Sequence, residues 1–117
     1  MNAPTLFTFF SGISFLIYGT SCLFAPHMRK EFVRFGYPRQ RVLTGILQLL
    51  GALGLILGYF IHPLIAFLAA AGLSAMMIFG FYVRLAIRDH IYAASPALIY
   101  AVLNLYLSVH YGQFLFP

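Results

Sequence analysis

The stretch from Val42 to Val83 reads VLTGILQLLGALGLILGYFIHPLIAFLAAAGLSAMMIFGFYV. It holds no Asp, Glu, Lys or Arg, and it breaks once, at His62-Pro63. Each half is near the ~20 residues a helix needs to cross a hydrocarbon core of about 30 Å. Backbone groups in lipid find no water, so only helices or closed barrels can span it. A continuous apolar run without period-two alternation selects helices.

Apolar runs also lie on either side of this stretch, so the expected spans are about 5–25, 42–61, 64–87 and 96–116, in a single transmembrane domain over 1–117. The chain has 62% hydrophobic and 8% charged residues, a balance that sets it apart from soluble domains. The expected fold is all-α: a polytopic membrane protein built as an antiparallel four-transmembrane-helix bundle.

The charges supply an orientation. Arg29, Lys30, Arg34, Arg39 and Arg41 lie on the first connection, and Arg84 and Arg88 on the third. The N-terminus, the turn at Tyr59 to Pro63 and the C-terminus have no Lys or Arg. Basic residues near span ends stay cytoplasmic. The expectation is a bacterial inner-membrane protein with both termini on the non-cytoplasmic side. The net charge of +5 is then this orientation signal, with attraction to anionic headgroups, and calls for no nucleic-acid partner.

Cys22 is the one cysteine, which excludes an internal disulfide or a Cys-x-x-Cys pair. No basic residue precedes the first run, so that run is expected to remain as a helix rather than serve as a cleaved signal. The four histidines show no helical pairing, and no metal site is expected.

Polar residues inside the runs are the candidates for a site, because such residues face a bundle interior or a cavity. Thr5 is read as a cap for the first run, in which Ser11, Ser14, Tyr18 and either Ser21 or Cys22 share one face. Gln48 sits two turns into the second run, where it serves either as a packing hydrogen bond or as a contact to a ligand head. Tyr100, Asn104, Ser108 and Tyr111 recur at helical spacing in the last run, which Ser95-Pro96 opens as a cap followed by a first-turn proline. Gly54 and Gly58, with the small residues from Ala66 to Gly80, favour close helix approach. Ser14, Gln48, Tyr100 and Asn104 are taken together as an intrabundle ligand pocket, with Gln48 expected near Asn104.

Two readings are open for the first connection. Pro26 ends the first run, and Phe32 and Phe35 stand among basic residues up to Gly36. Either a short amphipathic helix lies in the headgroup plane with its aromatics down, or the segment is a plain interfacial loop. Tyr37-Pro38 predicts extended backbone leading into the next run. Asp89 is read as neutralising a neighbouring arginine or starting a turn.

Four stretches, taken in order, resemble the DoxX-like family of small four-helix membrane proteins. They are Ser11-Gly12; Glu31-Phe32 with Phe35-Gly36-Tyr37-Pro38; Thr44-Gly45 with Leu49 to Leu55; and Arg84 to Asp89 followed by Pro96-Ala97. The resemblance implies a role beside redox or detoxification partners, since founding members look like subunits of thiosulfate:quinone oxidoreductase activity and distant eukaryotic ones are linked to membrane-protein assembly. Many relatives carry a glutamate where Gln48 stands, and Gln48 cannot titrate. Small multidrug transporters show a different pattern, with an acid in the first helix that this chain lacks.

Two functions follow from the sequence. One is a non-catalytic membrane subunit or interaction partner, in contact with lipid and with a redox or other membrane protein or a second copy of itself. The other is a quinone- or lipid-binding component of a membrane redox system. The chain holds no redox centre of its own, so a bound quinone or a partner's cofactor would supply it.

Overall fold

The computed structural model describes residues 3–36, 39–88 and 91–113. Five helices occur among them: α1 (Ala3–Phe24), α2 (Pro26–Phe35), α3 (Gln40–Ile61), α4 (Pro63–Ala86) and α5 (Ile91–Gly112). The additional helix relative to the four expected spans is α2, on the first connection; the helical reading of that segment holds over the loop reading. By length and composition α1, α3 and α4 are long and apolar enough to cross a membrane.

The ends have local causes. Pro26 stands at the first position of α2, where its missing N–H removes no ladder bond. Gly36 closes α2 with φ 87°, a left-handed conformation that suits glycine, and its N–H bonds back to the last turn. His62 separates α3 from α4 alone. Its extended backbone breaks the helix, and its Nδ1 accepts the Leu64 N–H at 3.0 Å. This imidazole does the work usually given to Ser, Thr, Asp or Asn at an N-cap.

Two expected boundaries move. Thr5 lies inside α1 rather than capping it, since the helix already runs at Ala3. The last helix begins at Ile91, not at a Ser95-Pro96 cap, and Pro96 lies inside it. Ser95 bonds back to the Ile91 carbonyl at 2.7 Å. A proline so near the start forfeits a single ladder bond, which the apolar run beyond it outweighs. The expected extended backbone at Tyr37-Pro38 and the roles of Asp89 fall outside the described residues.

Lipid tails are as apolar as the helices, so close packing must hold the helices together. α1 packs along α3, α3 along α4 and α4 along α5, while α1 and α5 meet over a shorter backbone contact. Small residues permit the close pairs. A Cβ added at Gly19 would sit 3.0 Å from the Gly45 carbonyl, and one at Gly58 would overlap the Ala66 backbone. Gly12 meets α3 at Ile56, and Gly51 meets α4 at Leu73. Partners therefore run in opposite order along each of these pairs. The small-residue ridge of α4 divides: Ala66 and Ala70 are buried, whereas Gly72 and Gly80 face open space. Phe15, Leu55, Leu73 and Leu107 fill the core together with Ala52, Ala66 and Ala70.

Candidate functional site

The α1–α5 seam is where the polar residues gather. The backbones stand apart there, and side chains fill the gap in three rungs. In the first, Thr8 Oγ1 donates to the Pro4 carbonyl at 2.7 Å. A hydroxyl has one proton, so at the 2.6 Å contact Tyr111 OH is the donor and Thr8 the acceptor. In the second, Ser11 Oγ donates to Asn104 Oδ1 at 2.8 Å, and Asn104 Nδ2 donates to the Tyr100 carbonyl at 2.8 Å. In the third, Tyr100 OH donates to Ser14 Oγ at 3.0 Å. Thr8, Ser11 and Asn104 are fully buried. Among the described residues, no buried side-chain nitrogen or oxygen lacks a partner.

Aromatic rings surround the third rung. Tyr100 stacks on Phe10 at 6.0 Å and meets the edges of Phe15 and Tyr18 at 5.4 and 5.6 Å. Phe10 and Tyr18 are both partly open to the outside, at 56% and 38%. The seam is thus sealed inside and presents phenol, hydroxyl and ring surface outward.

Three of the four residues grouped from the sequence therefore belong to this seam: Ser14, Tyr100 and Asn104. Gln48 does not. It is buried in α3, where its Oε1 faces the Cys22 thiol at 3.5 Å. Cys22 lies about 16 Å along α1 from Ser11, at a rise of about 1.5 Å per residue. The expected approach of Gln48 to Asn104 is thus replaced by two separate networks. Both are polar residues on inward faces; the sequence lacked the level at which each meets its neighbour. Thr8 and His62 were missed. Thr8 stands one turn before Ser11 on the same face, and a histidine before a helix-opening proline was the available signal for the cap.

The basic residues gather at the opposite end from His62. Arg41 Nη1 donates to the carbonyls of Cys22 and Leu23 at 2.7 and 2.9 Å, covering the exposed carbonyl end of α1 with a cation. Arg34 and His27 flank Glu31, with Arg34 Nε at 2.7 Å. Arg84, from the last turn of α4, lies 4.8 Å from the centroid of the Phe35 ring. Arg29, Lys30, Arg39 and Arg88 are exposed. Phe32 is 9% exposed, turned toward the helices rather than down into lipid as expected, because the bundle end offers it a dry surface.

Open depressions also lie among the described residues. One, of about 380 Å³, lies at the α3–α4 turn beside Thr5, Tyr59, His62, His110 and Tyr111. Another, of about 390 Å³, is an apolar furrow between α3 and α4 with Gly51, Ala69 and Gly72 at its base. Among the described residues, no three His, Cys, Asp or Glu side chains stand close enough to share a metal ion.

Spanning helices, a polar seam bonded within the protein and cations concentrated at one end define an integral membrane protein. The chain belongs to the DoxX-like family, whose family model matches residues 5–106. No curated protein and no solved structure matches it.

Proposed function

We propose that this protein is a non-catalytic membrane subunit or interaction partner, with α1, α3, α4 and α5 as a four-helix antiparallel transmembrane bundle. α5 is 22 residues long, enough for a fourth span. The observation that carries the reading is the seam: Thr8 with Tyr111, Ser11 with Asn104 and Ser14 with Tyr100 direct their polar atoms at one another, which holds helices together. Polar groups bound in this way stabilise a scaffold, and a scaffold serves by what it packs against. The basic connections would lie in the cytoplasm and both termini outside, by the charge rule for short loops. Purification from native membrane in mild detergent, with mass spectrometry of bound proteins, tests the reading. A stoichiometric protein partner is the expected result; a chain recovered alone with catalytic turnover would overturn it.

A quinone- or lipid-binding role is the second reading, supported by the outward surface of Phe10, Ser14, Tyr18 and Tyr100. A ring-shaped head could stack on Phe10 and accept a hydrogen bond from a tyrosine. Extraction of bound quinone from the wild type and from Phe10→Leu, which removes the outward stacking ring, decides it. Stoichiometric quinone that falls in the variant would favour this reading over the first, and no quinone in either would remove it.

A further inference from the structure

α2 has two faces, set by 100° per residue. Met28, Glu31, Phe32 and Phe35 point toward the bundle, while Arg29, Lys30, Val33 and Arg34 point away. An amphipathic surface helix ordinarily places its apolar face in lipid. Here that face is occupied by the protein: Phe32 is buried, and Phe35 lies beneath Arg84. What remains outward is cationic, with Val33, 61% exposed, among the charges.

Among the described residues, the charge on that face is only partly balanced. Glu31 is the one carboxylate among the described residues. Its side chain is 17% exposed, turned inward and held by Arg34. Among the described residues, Arg29 and Lys30 therefore face outward with no acid beside them. Position decides what meets them. One residue, Ala25, separates α2 from α1, and the last residue of α1, Phe24, is 77% exposed. A helix of ten residues, about 15 Å long, tied this closely to a span stays in the headgroup layer.

We propose that the outward face of α2 binds anionic phospholipid headgroups of its own leaflet. Arg29 and Lys30 meet the phosphate charges, and Val33 lies beside them within the headgroup layer. A soluble acidic protein would match the cations too, but a helix one residue from a span is already surrounded by headgroups, so lipid is the anion at hand.

The protein contains no tryptophan, so one introduced Trp is an unambiguous reporter. Val33→Trp is reconstituted in phosphatidylcholine with a minor fraction of phosphatidylglycerol, and either lipid carries bromine high on its acyl chains. The inference rests on the transmembrane reading, so Leu50→Trp, on an exposed site of α3, serves as the control for the span. Brominated phosphatidylglycerol is expected to quench Val33→Trp as though locally enriched at least about twofold, because basic residues at the surface attract anionic lipid. High salt, or Arg29→Gln with Lys30→Gln, should return quenching to the bulk ratio. Equal quenching per mole by the two lipids, or enrichment that survives the double substitution, would overturn the proposal. Absence of quenching by either lipid, with Leu50→Trp quenched normally, would also overturn it and assign this face to a water-borne acidic partner. Loss of quenching at Leu50→Trp as well would overturn the span together with it.

Discussion

Gly58 and Gly72 place the same substitution in opposite surroundings. A Cβ at Gly58 would lie against the Ala66 backbone, 2.8 Å from its Cα and 2.9 Å from its Cβ. Backbone atoms cannot rotate away, so α3 and α4 must separate. A Cβ at Gly72 meets nothing within 4 Å. Both Gly→Ala changes gain about 1 kcal/mol of helix preference. Overpacking adds a penalty of about 1–3 kcal/mol at Gly58 alone. Gly72→Ala should therefore be neutral or stabilising, and Gly58→Ala should be less stable than it by about 1–3 kcal/mol, since the propensity gain cancels in the difference. Gly12→Ala should fall between them, because the atoms it meets are the mobile end of Ile56. The assay is reversible unfolding in mixed micelles, read by near-ultraviolet circular dichroism of the eight tyrosines. Equal stabilities for the Gly58 and Gly72 variants, within about 0.5 kcal/mol, would refute the close α3–α4 approach.

The hydrogen-bond networks give a second comparison. Ser11→Ala and Asn104→Leu should be coupled by about 0.5–1.7 kcal/mol, because they share one bond. Gln48→Leu and Asn104→Leu should add within about 0.5 kcal/mol, because they do not; coupling in the second pair and additivity in the first would invert the account. At the α3–α4 turn, His62→Ala should lose about 0.5–2 kcal/mol of stability through the lost cap, and His62→Asn should recover most of it. Equal losses in the two variants would show that Nδ1 is not the stabilising group.

The apolar runs and the charge distribution were legible because lipid imposes its demands residue by residue. Pro26 and Gly36 marked the ends of α2 for equally local reasons, a missing N–H and a positive φ. The facing of α2 was not legible: its aromatics suit lipid and a protein groove alike, and only the end of the bundle shows that Phe32 finds protein. The same holds for the polar stripe. Helical spacing puts Asn104 and Gln48 on inward faces, but their partners depend on how far each helix slides past its neighbour. That register is set by contacts such as Gly12 against Ile56, which no single run displays. Pro96 misled for a further reason, since Ser-Pro suits a helix start, and nothing local to it shows that the helix already runs from Ile91 at the expense of a ladder bond.

Sidedness of the loops tests the transmembrane arrangement most directly. Cys22 is buried, at 1% exposure, so single cysteines can be added on the surface without removing it. Ile61→Cys and Gln113→Cys are to be compared with Arg29→Cys and Arg88→Cys in intact cells, using a maleimide that cannot cross the membrane. The first two are expected to label at once and the second two only after permeabilisation. Labelling of Arg29→Cys from outside, or of Ile61→Cys and Gln113→Cys on opposite sides, would contradict it.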